Sequence, residues 1–219
     1  MKDFMIGVGI GLAYILLGAW LTLLVAGKVY AAELFVEGGI GVAQFQRTTP
    51  DGIWWQSPFP HHFELQSLAW KAGLGVQLDA HWSVTASYVS LGTIKAFTEA
   101  VSDENFDHGD RKDPRVKLTA YDTYQGGQVL GKYRWTQWPV QPFLAGGVAI
   151  MAHQIRLDHE LAAAAYTGYG GVLPMGVVGG GVCWQWVCGE VNYYRGVQAP
   201  QYPISTSVVV PMLTMKYGF

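Results

Sequence analysis

Charge is scarce in this 219-residue chain, and what there is nearly cancels. Fourteen Lys and Arg stand against sixteen Asp and Glu, a formal net charge of −2. No basic patch is present to neutralise a phosphate backbone, which argues against nucleic acid as a partner. Cysteine is rarer still: two sulfurs with no histidine nearby do not make a metal site. Long apolar runs are missing after the first thirty residues, so a bundle of membrane helices does not fit. Disorder fails for the opposite reason. Half of the residues are hydrophobic and only 14% are charged, too apolar for a solvated coil.

What is there begins with a leader. Met1-Lys-Asp-Phe is followed by an apolar stretch from Met5 to Ala26, then by Gly-Lys-Val-Tyr-Ala-Ala-Glu. Val29 and Ala31 are small residues at the −3 and −1 positions of a cut after Ala31, as in a secretory signal peptide. The expected division is a signal peptide over 1–31 and one domain over 32–219. The leader's apolar part is long enough to span a bilayer as a retained anchor, which stays the alternative. Lys2, Asp3 and Lys28 give the leader a net +1, leaving the rest near −3.

After the leader the period is 2 rather than 3.6. Leu34, Val36, Ile40 and Val42 alternate with Phe35, Glu37, Gly39, Gly41 and Ala43. Leu68, Trp70, Ala72, Leu74 and Val76 alternate with Ser67, Lys71, Gly75 and Gln77. Trp82, Val84, Ala86 and Tyr88 alternate with Ser83, Thr85 and Ser87. Tyr121, Val129, Tyr133 and Trp135 oppose Asp122, Gln128, Lys132 and Arg134. Further segments run over 142–154, 172–183, 187–195 and 206–219, which makes eight strands. Short connections at 79–81, 136–139 and 184–186 alternate with long polar ones at 46–63, 98–115, 156–170 and 197–205. That is an up-and-down meander with tight turns at one end, the pattern of a transmembrane β-barrel.

In hydrocarbon an unpaired backbone group costs several kcal/mol, so such strands must close without edges. Trp82, Trp135, Trp138, Trp184, Trp186, Tyr217 and Phe219 all fall at the short-turn end, which favours an aromatic girdle over tryptophans in a soluble core. Eight strands enclose a lumen about wide enough for side chains to fill. Glu37, Lys71, Asp122, Lys132, Arg134, Glu190 and Asn192 take the inward parity, where opposite charges can pair. No open pore is expected. Val208, Val210 and Met212 also point inward, so the lumen near the loops is expected to be apolar. Leu144-Ala-Gly-Gly-Val-Ala-Ile-Met is apolar on both faces and leaves its own register open.

Few constellations carry chemistry. Cys183 and Cys188 flank Trp184-Gln-Trp-Val187. Across a four-residue hairpin loop they face each other within disulfide range, and an exported chain meets an oxidising compartment. Two buried free thiols are the alternative. Asp103-Glu-Asn-Phe-Asp-His-Gly-Asp110 fails as a calcium loop, because positions 6 and 12 hold His108 and Pro114 instead of Gly and Glu. His61, His62, His153 and His159 lie in or near long loops without a partnered nucleophile. The glycine pairs and triplet (38–39, 146–147, 179–181) precede no phosphate-binding helix. No cofactor is implied.

The closing strand, Val208-Val-Val-Pro-Met-Leu-Thr-Met-Lys-Tyr-Gly-Phe219, resembles the last strand of bacterial outer-membrane barrels, which implies recognition by the barrel-insertion machinery. With Gln141-Pro-Phe-Leu-Ala-Gly-Gly-Val148 and the 179–194 hairpin, the chain resembles the small eight-stranded group of the OmpA transmembrane domain, OmpX/Ail and OmpW. It also looks like uncharacterised barrels of bacterial and prophage genomes. The resemblance implies the outer membrane of a Gram-negative cell, with lipid and lipopolysaccharide as neighbours. It leaves three functions open. One is a structural or adhesin-like surface protein whose loops engage an extracellular macromolecule, with Trp54, Trp55 and Phe59 as anchors. A second is a narrow OmpW-like channel for small apolar molecules. The third is a lipid A-modifying hydrolase, since His81-Trp-Ser83 has the His-x-Ser spacing of lipid A deacylases. That histidine lies at the wrong end for the family, and no catalytic residue is assigned.

Overall fold

The computed structural model describes residues 33–47, 62–101, 115–159, 166–196 and 206–218. The leader, Trp54, Trp55, Phe59, His61, the acidic 103–110 loop and Phe219 lie outside these. The described residues form β1 (Glu33–Arg47), β2 (His62–Glu64), β3 (Gln66–Gln77), β4 (Trp82–Val101) and β5 (Arg115–Arg134). They continue in β6 (Gln141–His159), β7 (Tyr166–Trp184), β8 (Val187–Gly196) and β9 (Thr206–Gly218). β2 and β3 are one barrel strand interrupted at Leu65, whose carbonyl accepts from the Phe45 N–H. Counted so, the barrel has eight strands.

Every strand pairs antiparallel with its sequence neighbour, and β1 pairs with β9 to close the ring. Closure is staggered. The row Leu34–Val76–Val84–Gly131–Gly146–Val178–Tyr193–Val209 returns to β1 at Gln44, ten residues beyond its start. A shear of this size goes with strands tilted by about 35–45°. Each barrel strand has a hydrogen-bonded neighbour on both sides, so the ring has no edge strand.

Three details differ from the sequence reading. β4, β5, β6 and β7 run to Val101, Arg115, His159 and Tyr166, several residues into segments expected as loops. Hydropathy alternation marks only the part with one apolar side, whereas the hydrogen-bond ladder continues wherever backbones stay in register. The cysteine hairpin closes on a two-residue turn at Gln185 and Trp186, not a four-residue loop, because Trp184 pairs with Val187. Gln185 takes φ 54° there. Finally, a bulge between Ser90 and Gly92 reverses the parity of β4. Ser83, Thr85, Ser87, Val89 and Leu91 face the lumen, and Ile94 does so after the bulge. Gly92 has φ +79°, and a Cβ there would lie 2.5 Å from the Leu68 carbonyl. Only glycine fits.

The structure also settles β6. Phe143, Ala149 and Met151 are buried inward while Leu144 and Val148 are exposed outward. Odd positions therefore face the lumen.

Candidate functional site

The lumen is filled by side chains, and it is stratified. At the short-turn end Phe143 packs on the Cys183–Cys188 disulfide. The two cysteines are direct cross-strand partners, with Cα atoms 4.0 Å apart. Above them sits a quartet of charges from four strands. Lys71 of β3 donates to Glu190 of β8 at 2.5 Å and lies 3.4 Å from Glu37 of β1. Lys132 of β5 donates to Glu37 at 2.7 Å and lies 3.9 Å from Glu190. All four are buried; Lys71 keeps 2% of its surface. Two ammonium groups and two carboxylates sum to zero, so each charge removed from water meets an opposite one.

A polar column continues from the quartet. The Asn192 amide donates to Glu190 at 2.8 Å, the Gln128 amide to the Ser87 hydroxyl at 2.9 Å, and the Tyr194 hydroxyl to the Gln128 oxygen at 2.9 Å. Beyond it the lumen turns apolar. Leu91, Leu130, Met151, Met175, Val177, Val208, Val210 and Met212 join one buried cluster. At its loop side the Tyr124 hydroxyl donates to Asp122 at 3.0 Å, and His153 Nε2 lies 2.5 Å from the other Asp122 oxygen. Phe45 and His153 pack on the Tyr124 ring, with centroids at 5.3 and 4.7 Å.

The outer wall is the reverse. Leu34, Ile40, Leu68, Leu74, Leu144, Val148, Val178, Val182, Val191 and Leu213 are all exposed, Ile40 to 64%. At the short-turn end Trp82, Trp138, Trp184, Trp186 and Tyr217 add exposed rings. Trp82 and Trp135 both meet Tyr133 edge-on, at 5.0 and 5.1 Å. A soluble protein does not expose an apolar belt around a charged core. The chain is an eight-stranded β-barrel of outer-membrane type.

No family model matches this chain, and no characterised protein matches it in sequence. Among solved structures the barrel is similar to the attachment invasion locus protein Ail of Yersinia pestis. There the identity is 12%, the TM-score 0.45, and the match covers 84% of this chain and 99% of that one. It is similar to Neisserial surface protein A at 11% identity and TM-score 0.40, covering 85% and 99%. OprG of Pseudomonas aeruginosa follows at 14% identity and TM-score 0.41, covering 86% and 96%. At such identities the likeness is one of fold alone.

The barrel keeps His81 and Ser83 apart in role. The Asp79 carboxylate accepts from the backbone N–H groups of His81 and Trp82, both at 2.7 Å. Those two bonds, the one from Trp82 first, do most to hold its pKa below the ordinary carboxylate value, with a smaller contribution from the His81 imidazole. His81 Nδ1 meets the Arg134 carbonyl at 3.0 Å and the ring stacks on Tyr133, while Ser83 is buried in the lumen. The pair forms no triad. Among the described residues no cluster of His, Cys, Asp or Glu is arranged to hold a metal ion.

Two features escaped sequence reasoning. The sequence places His153 in or near a long loop, and the open register of β6 leaves its face unassigned. Once Phe143 and Met151 are known to point inward, His153 does too. Lys216 shares the inward parity of Val208, Val210 and Met212. Its ammonium lies 3.7 Å from the centre of the Phe35 ring and donates to the Gln77 oxygen at 2.8 Å.

Proposed function

We propose that the chain is exported, inserted into the outer membrane of a Gram-negative cell, and works there as a surface-exposed structural or interaction protein. The observation that carries this reading is the filled lumen. Its central charges form a neutral quartet, its loop-side half is packed with apolar side chains, and its outer wall is suited to lipid. The segments joining the strands at the loop end are where a rigid scaffold presents binding residues. Trp54, Trp55 and Phe59 are the proposed anchors for an extracellular macromolecule. Residues 1–31 act as a cleaved signal peptide, and the C-terminal strand addresses the barrel to the insertion machinery. Outer-membrane lipid and lipopolysaccharide surround the wall.

The OmpW-like channel reading gains nothing from Val208, Val210 and Met212. They are buried to within 5% of full closure and pack against their neighbours instead of lining a passage.

The test has two arms. Full-length protein expressed in a Gram-negative host is fractionated and run on SDS gels unheated and boiled. The expected result is an outer-membrane band that shifts on boiling and begins at residue 32. Soluble or inner-membrane protein with the leader intact would overturn the reading. Cells displaying the barrel are then tested for binding to immobilised extracellular-matrix proteins and glycans. A Trp54→Ala/Trp55→Ala/Phe59→Ala variant should lose retention while keeping its heat shift. Steady conductance in planar bilayers without any surface binding would favour the channel instead.

A further inference from the structure

At the short-turn mouth of the lumen the charges no longer cancel. Beside the neutral quartet stand Arg134, at the end of β5, and Lys216, near the end of β9. Both are half-buried. Among the described residues Arg134 donates to the Gln141 amide oxygen, at 3.4 Å, and Lys216 has the Gln77 oxygen and the Phe35 ring. Among the described residues neither has a carboxylate within 4 Å. Lys132, Arg134 and Lys216 gather around one mouth of the lumen. Like charges gathered in a partly dry mouth are unfavourable unless an anion joins them.

The same residues line a cavity of about 20 Å³, together with Ser83 and Thr214. Phe35, Phe143 and the disulfide wall it, and Glu37 and Glu190 reach it while already engaged by Lys71 and Lys132. That volume admits one water-sized group. One oxygen of an oxyanion can therefore enter while the rest of the ligand stays at the mouth.

We propose that this mouth is a binding site for a phosphate group. The Arg134 guanidinium supplies a planar fork, Lys216 a point charge, and the Ser83 hydroxyl a further donor, a set suited to several phosphate oxygens at once. The phosphate is either free in the compartment beneath the membrane or the headgroup of a phospholipid in the adjacent leaflet.

The test uses full-length barrel refolded in maltoside micelles, which contain no phosphate. Inorganic phosphate is titrated in, and separately lysophosphatidic acid is added to the micelles. The Nε–H resonance of Arg134 and the amides of Ser83 and Thr214 are followed by NMR. A saturable shift at these signals with either probe is expected, and the probe that produces it identifies the source. Arg134→Gln and Lys216→Gln should each weaken binding at least about tenfold, the loss of one charge-assisted contact. Arg134→Lys should lose less. Arg195→Gln, exposed on β8 near the opposite end, should change nothing. The proposal is overturned if neither probe gives a saturable shift. It is equally overturned if a heat-shifting Arg134→Gln/Lys216→Gln variant binds like the parent. Should that double variant fail to fold, the position of the shift in the parent protein decides: signals at Arg134 support the site, and signals confined elsewhere overturn it. This readout is independent of cellular location, so its failure is distinct from failure of the surface-protein reading.

Discussion

In the short-turn half of the barrel the lumen is filled by Glu37, Lys71, Lys132 and Glu190, with Gln128, Asn192 and Tyr194 hydrogen-bonded beside them. In the loop half the same cross-section is filled by Leu91, Leu130, Met151, Met175 and Val208. Both halves exclude bulk water, but they hold the ring together differently. The apolar half gains by burial in proportion to area and is indifferent to which neighbour supplies it. The charged half is selective: Lys71 and Glu190 stand 119 residues apart in sequence, Lys132 and Glu37 95 apart, and each charge is tolerable only beside its partners. Charge pairing thus ties β1, β3, β5 and β8 across the lumen, while apolar packing fills whatever room remains.

The largest effect should come from unbalancing the quartet. Lys71→Met leaves Glu37 and Glu190 sharing Lys132 alone, and destabilisation of about 3–5 kcal/mol is expected. Urea titration of barrels folded in lipid vesicles, read by the heat-sensitive gel band, would register it. An unchanged midpoint would mean that the charged half does not depend on its pairing. In the apolar half Leu130→Ala should cost about 2–4 kcal/mol, whereas Leu130→Met should cost less than about 1.5. That tolerance of shape without tolerance of lost volume is what separates the halves. If Lys71→Met proved as mild as Leu130→Met, the distinction would fail.

Where β4 passes toward the loops, Gly92→Ala should cost about 1–3 kcal/mol, because a side chain is forced into a positive-φ site against the Leu68 carbonyl. The same variant should weaken protection of the β4–β5 amides beyond Ser90 in hydrogen exchange, and leave those before it unaffected. The smallest effect belongs to the turn at Asp79. Its carboxyl is held below its ordinary pKa by two backbone N–H groups, so the stability it lends is complete above the unfolded value of about 4 and is lost as pH falls through the folded one. Acidification should move the His81 and Trp82 amide resonances, and Asp79→Ala should abolish that movement without altering the quartet.

Much of this was written locally. Alternation in 34–43, 67–77, 82–88 and parts of 121–135 gave most side chains their face, because a strand's period of two needs no knowledge of its neighbours. The alternation of short and long connections implied the meander. The two cysteines, set five apart across a tight hairpin, could be paired on paper. Legibility ended where the cue was two-sided or non-local. The apolar 144–151 segment has no polar face to mark its register, and His153 went unread with it. The bulge at Gly92 inverts parity by one inserted residue, which composition does not announce.

By itself, then, the amino-acid order determined an eight-stranded barrel with an apolar outside and charges turned inward, since alternation is a property of consecutive residues. Only the closed ring decided which charges meet. Lys71 finds Glu190 and Lys132 finds Glu37, because closure with a ten-residue stagger sets the relative height of every strand. That height is a relation among residues a hundred positions apart, and no local pattern encodes it.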